Sequence, residues 1–110
     1  MAEGKVIEVI KFLEERLKKE GLKVSKIVLF GSRATGKTTK DSDIDIVIVS
    51  EDFRGKDIFK RVGLLKDAEV ATIRKFMIPL DIVTMTPEEM ESETSIIAAY
   101  AKEGETVYAA

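Results

Sequence analysis

The sequence predicts an α/β (α+β) chain, and three observations carry that reading. Apolar residues recur at helical spacing near the N-terminus and again after residue 57. Between these stretches lie two short apolar runs, rich in Val and Ile, of the length of strands rather than helices. Third, 110 residues at 45% hydrophobic composition suffice for one core, so residues 1–110 are expected to form a single domain.

Each element has its own local reason. Val6, Ile10, Leu13 and Leu17 are spaced 4, 3 and 4 with Lys and Glu between them, which predicts an amphipathic helix over 4–20 with Gly21 as its cap. Residues 25–30 hold four consecutive apolar side chains, as a strand buried on both faces would. Residues 31–42 are rich in Gly, Thr, Ser and charge and read as a loop. Residues 43–49 form the second strand, with Asp43, Asp45, Val47 and Val49 on one face and Ile44, Ile46 and Ile48 on the other.

A polar turn at 51–55 leads to a helix over 57–75, with Ile58, Val62 and Leu65 as one apolar row and Leu64, Ala68 and Ala71 as another. Gly63 is its weak point. Residues 78–84 form a third strand, whose Pro79 places its start at an edge or strand end. Thr86-Pro87-Glu88-Glu89 opens a helix or helix pair that runs to about Lys102: Thr caps, Pro takes the first position, and acids fill the first turn. Gly104 stops it, and Val107-Tyr108 adds a short last strand.

Composition removes several function classes. Net charge is −2 and pI about 5.3, so the chain as a whole has no basic footprint for nucleic acid. It contains no Cys and no His, which excludes disulfides, thiolate zinc sites and imidazole catalysis. A metal would have to sit on carboxylates, which favours Mg²⁺ or Mn²⁺. No apolar stretch approaches a membrane span and the N-terminus lacks a signal-peptide core, so the expected location is cytoplasmic, with no membrane partner.

The chemistry concentrates between residues 31 and 45. Gly31-Ser32 follows a strand, where backbone N–H groups and a hydroxyl can receive a phosphate chain. Ten residues later come Asp43 and Asp45, two apart on a strand and so on one face. Two like charges on one face repel unless a cation neutralises them. Asp81 interrupts the apolar run Leu80-Asp81-Ile82-Val83, where a lone charge needs a partner. Three carboxylates on neighbouring strands suit a two-metal site that aligns an attacking hydroxyl with a departing pyrophosphate. Arg33 lies beside the phosphate turn and is a candidate to pair with it. Lys37 and Lys40 supply general attraction.

A second motif overlaps the first. Gly31-Ser-Arg-Ala-Thr-Gly36-Lys37-Thr38 fits the Walker A phosphate loop G-x-x-x-x-G-K-[ST], and it too follows a strand. That loop must open a helix, yet Thr38 is followed by Thr-Lys-Asp-Ser-Asp with no helical apolar period. The P-loop NTPase is therefore the remote alternative.

Gly-Ser, ten residues, then Asp-x-Asp resembles the signature of the DNA polymerase β nucleotidyltransferase superfamily. The string Phe-Gly-Ser-Arg-Ala…Asp-Ser-Asp-Ile-Asp-Ile is similar to its minimal nucleotidyltransferase (MNT) branch, and the likeness runs from about Ile27 to Glu89. The resemblance implies a small mixed β-sheet flanked by helices. It also implies that Gly31 and Ser32 hold the triphosphate, that Asp43 and Asp45 ligate metal, and that Asp81 completes the metal site and activates the acceptor hydroxyl. The activity implied is Mg²⁺-dependent transfer of a nucleoside monophosphate, AMP from ATP, to a hydroxyl.

In the MNT branch the usual partner is a helical HEPN protein, and the two resemble a toxin–antitoxin pair in which the nucleotidyltransferase neutralises the toxin, commonly by adenylylating a tyrosine. An antitoxin of this kind is the role the resemblance implies. The chain leaves no room for an acceptor domain, so the acceptor surface is expected from another polypeptide or from a second copy in a homo-oligomer. A nucleic-acid acceptor stays open. The different-class alternative is a non-catalytic module that binds ATP–Mg²⁺ and acts on its partner by contact alone.

Asn, Gln, Cys and Trp are all absent while 35% of residues are charged, the pattern of a thermophile. The expected melting temperature is above about 80 °C. Calorimetry checks this, and a midpoint near that of ordinary mesophile domains would remove the reading.

Overall fold

A computed structural model describes residues 4–31, 43–92 and 94–110. The first helix, α1 (Gly4–Lys19), forms because Val6, Val9, Ile10, Leu13 and Leu17 make one apolar stripe, and all five are buried. It ends as predicted: Leu22 N–H reaches back to the Leu17 carbonyl at 3.0 Å around Gly21, whose φ is 89°.

Strand β1 (Val24–Phe30) follows, then β2 (Ile44–Ser50), a short 3₁₀ turn at Glu51–Phe53, and α2 (Ile58–Phe76). The remaining elements are β3 (Leu80–Met85), α3 (Pro87–Met90), α4 (Ile96–Lys102) and β4 (Glu105–Ala109).

Among the described residues these strands form one sheet in the order β3-β2-β1-β4. β1 pairs antiparallel with β2 and with β4, while β2 pairs in parallel with β3. The sheet is therefore mixed and the fold α+β, as expected. The parallel pair needs a crossover, which α2 supplies. The strand that follows Gly31 returns antiparallel beside β1. A phosphate-loop fold runs its next strands parallel through helical crossovers, so this return path argues against the Walker A reading.

β2 is the central beam. Ile44, Ile46 and Ile48 face one layer with α1, Leu65 and Ala68. Val47 and Val49 face the other, with Met85, Met90 and Ala98. Both predicted faces of β2 are thus realised, and both are covered.

Helix α2 runs unbroken through Gly63, but its inward row is not the expected one. Leu65, Ala68 and Thr72 are buried, whereas Ile58 and Val62 are exposed. Apolar residues occur around more than half of this helix, so periodicity alone could not choose the face. The stretch Ile96-Ile97-Ala98 likewise sends only Ala98 into the core.

The end of the sheet away from Asp45 is tied down by polar contacts. Ser50 Oγ donates to the Lys23 carbonyl at 2.7 Å and accepts from the Asp52 N–H at 3.0 Å. Asp52 in turn accepts from the Lys23 N–H at 2.8 Å, so it is a tie between strands rather than a plain surface acid. Thr86 and Glu89 form a capping box at α3. Glu89 also receives Arg61 of α2 at 2.7 Å, and these contacts hold its carboxyl below the usual carboxylate value.

The inward face of α2 can be measured directly. Leu65→Ala should cost about 2–4 kcal/mol of unfolding free energy. Ile58→Ala should change it by less than about 0.5 kcal/mol. Denaturant titration of both variants checks this, and equal losses would mean that α2 is rotated.

Candidate active site

The site is set by strand register. Parallel pairing places Ile44 beside Leu80 and Asp45 beside Asp81. Antiparallel pairing places Phe30, the last residue of β1, beside Asp45. One row across three strands therefore brings the exit of β1 to two carboxylates. The Ile44 N–H donates to the Pro79 carbonyl at 3.0 Å, which fixes the entry of β3 at this level. Pro79 precedes the strand, and β3 is an edge strand, as its proline required.

Gly31 follows Phe30 with φ 74°, a conformation suited to glycine. The space matters as much as the angle. A Cβ at position 31 would overlap the Asp45 carboxylate. A side chain there would require the Asp45 carboxylate to move aside.

Asp45 is half-buried, while Asp43, just before the strand, and Asp81 are exposed. Burial raises the Asp45 carboxyl above its ordinary value, and the charges of Asp81 and Asp43 and a hydrogen bond with Asp81 push it further. Carboxylates this close repel one another, and a cation at this place would neutralise them.

A fourth acid belongs to this neighbourhood. Glu69 of α2 is half-buried, and its carboxyl is raised by burial and then by the charge of Asp81. Sequence reasoning missed it, because a glutamate on a charged helix looks like any solvated residue. Only packing of α2 beside β3 reveals it.

Of the sequence-predicted residues, Gly31, Asp45 and Asp81 are brought together, and Asp43 lies within electrostatic reach. Ser32 and Arg33 lie outside the described residues, as do Lys37, Thr38, Lys40 and Ser42. Among the described residues no three acids converge into a ready-made metal cage. The donor set nevertheless fits a hard cation: it is made of carboxylate oxygens, it is crowded with like charge, and it flanks a turn kept free of side chain. An apolar groove of about 430 Å³ lies elsewhere, between the first turns of α2, the edge strand β3 and α4. No helix among the described residues is long and apolar enough to cross a membrane.

The family model for the nucleotidyltransferase domain matches residues 6–103. No curated protein matches the chain. Among solved structures, a toxin–antitoxin assembly with AMP-PNP is similar over 94% of this chain and 73% of its own, at 21% identity and a TM-score of 0.65. A proposed nucleotidyltransferase from Sulfolobus solfataricus is similar over 83% of this chain and 81% of its own, at 20% identity and a TM-score of 0.54. A proposed minimal nucleotidyltransferase is similar over 91% and 92% respectively, at 19% identity and a TM-score of 0.52. At these identities the likeness is one of fold.

The crowding of carboxylates has a measurable cost. Because the Asp45 carboxyl is raised in the folded chain, its contribution to stability is fully present below the unfolded value and is lost as pH rises through the folded one. Asp45→Asn keeps a donor for Asp81 and removes the charge. Without metal, it should raise stability at pH 7 by up to about 1 kcal/mol, a few degrees in Tm, and the gain should vanish near pH 4. Thermal melts in chelator at both pH values check this. A variant less stable than the parent at neutral pH would contradict it.

Proposed function

Because this chain belongs to the nucleotidyltransferase domain family, we propose that it transfers AMP from ATP to a hydroxyl group of a partner protein. The observation that carries the reading is the Asp45–Asp81 register beside the positive-φ turn at Gly31, where a Cβ would press on the Asp45 carboxylate. Residues 1–110 act in this reading as one nucleotidyltransferase domain.

Asp43 and Asp45 would hold Mg²⁺ or Mn²⁺, with Asp81 completing the set. Such an ion supplies charge for the triphosphate and for the leaving group. Gly31 lets the backbone approach the phosphates, with Ser32 and Arg33 as further phosphate contacts. Asp81, the exposed member of the pair, faces an incoming acceptor and takes the proton of its hydroxyl. The hydroxyl oxygen then forms a bond to the α-phosphorus, the bond from that phosphorus to the β-phosphate bridge breaks, and pyrophosphate leaves.

ATP and a protein acceptor are favoured by the similarity to a toxin–antitoxin assembly solved with AMP-PNP. In this reading the partner is a helical protein of the HEPN type, and transfer to it makes this chain the antitoxin.

The test uses ATP labelled separately at the α- and γ-phosphates, with Mg²⁺, the purified chain and a lysate of its source as acceptor pool. Transfer of α-label to a macromolecule with pyrophosphate release is expected. Asp43→Ala and Asp81→Asn should each lower the rate by at least about a hundredfold with the fold retained. Orthophosphate release from the γ-label without α-transfer would overturn the assignment. Nucleotide binding with neither product would leave a non-catalytic binding module instead.

A further inference from the structure

The apolar groove stands apart from the carboxylates but is built on the same strand. Asp81 lies near the start of β3, and the groove follows that strand from Ile82 to Met85. Val83, two residues after Asp81, shares its face of the strand and lines the groove. The walls include Ile58 and Val62 of α2 and Ile97 of α4, which are 65, 46 and 53% exposed. Apolar side chains thus surround a hollow that opens to water.

The strand edge in this hollow offers backbone. The Ile44 N–H donates to the Pro79 carbonyl, and the parallel register then runs without a shift from Ile44–Leu80 to Val49–Met85. Successive residues of a strand turn their N–H and C=O groups to opposite sides. Asp81, Val83 and Met85 therefore direct theirs toward β2, and Ile82 and Thr84 direct theirs outward. Arg61 of α2 marks the outward side, since its Nη1 reaches the Thr84 carbonyl at 3.5 Å. Among the described residues no strand pairs with this edge.

Sheet edges are ordinarily blunted by lysine, proline or a bulge. Residues 82–85 carry none of these, whereas β4 at the opposite edge joins the sheet with a register shift. A straight, uncharged edge between apolar walls fits an extended peptide. Its amides continue the ladder and its side chains fill the walls.

Position decides which peptide. One row across the sheet runs from Gly31 after β1, through Asp45 on β2 and Asp81 on β3, to the outer edge. Displacement at phosphorus needs the entering and leaving oxygens on opposite sides. With the triphosphate at Gly31, pyrophosphate departs on the β1 side and the entering hydroxyl arrives from the β3 side. The groove lies on the side of the acceptor, not of the nucleotide.

We propose that the hydroxyl-bearing segment of the partner protein adds to the outer edge of β3 as an extended strand, seated in the groove with its hydroxyl at Asp81. The proposal rests on the transferase reading above and names the form in which that reaction's acceptor is held.

The probe is an end-blocked heptapeptide of valine and threonine around one central tyrosine. It is added to the isotope-labelled full chain with Mg²⁺ and AMP-PNP, and amide exchange is followed by NMR. The Ile82 and Thr84 amides should exchange at least about tenfold more slowly with peptide, while those of Val83 and Met85 stay as they were. Val62→Glu and Ile97→Glu, both at exposed positions, should keep the circular dichroism of the parent and weaken peptide binding about tenfold or more. Ile7→Glu, exposed on α1, should leave binding unchanged.

These readouts need no chemistry, so they hold even for a chain that transfers nothing. Transfer of AMP to the peptide tyrosine with Ile82 and Thr84 unprotected would overturn the groove and leave the transferase. Absence of peptide binding, protection of β4 amides instead, or protection of Ile82 and Thr84 by AMP-PNP alone or by self-association would each overturn the proposal.

Discussion

The parallel register between β2 and β3 is the constraint on which the rest of the site depends. It sets Asp45 beside Asp81 on neighbouring strands, and the Ile44–Pro79 backbone contact locks that alignment at its first rung. A one-residue slip would send Asp81 to the opposite face and bring Leu80 or Ile82 in its place. It would also invert the inward set of β3, so the same slip that removed the site would unpack the edge of the sheet.

The fold can tolerate this concentration of acid because the opposing terms differ in size. Ile44, Ile46, Val47, Ile48 and Val49 are buried along β2, and five such side chains contribute on the order of 10 kcal/mol of gross burial. Repulsion between partly solvated carboxylates costs on the order of 1 kcal/mol. The strand is therefore held by its apolar length while its first turn stays electrostatically unfavourable. That residual tension is what a divalent cation and a triphosphate would relieve, so the local defect and the proposed chemistry have one physical origin.

Legibility followed the length scale of the signal. The α1 stripe, the double burial of β1 and β2, the edge position announced by Pro79 and the Thr86 cap are all local patterns, and each appears as read. Helix α2 exists where expected, but its inward row was misjudged. Apolar residues on two sides give periodicity no unique answer, and the choice falls to what α1 and β3 present. Glu69 was missed for a related reason: its significance comes only from Asp81, twelve residues away on another element.

Sequence by itself determined the chemical vocabulary of this protein. With no His or Cys, and with Asp43, Asp45 and Asp81 breaking into apolar runs near Gly31, it restricted any metal site to oxygen donors. The order of helices and strands was also local information, because caps, turns and periodicity act over a few residues. Tertiary structure alone decided that β2 and β3 run parallel in a register that pairs Asp45 with Asp81, and that Gly31 sits directly against the Asp45 carboxylate. It also decided which side of α2 faces inward. These are contacts between residues far apart in the chain, and their energies exist only once the sheet has assembled.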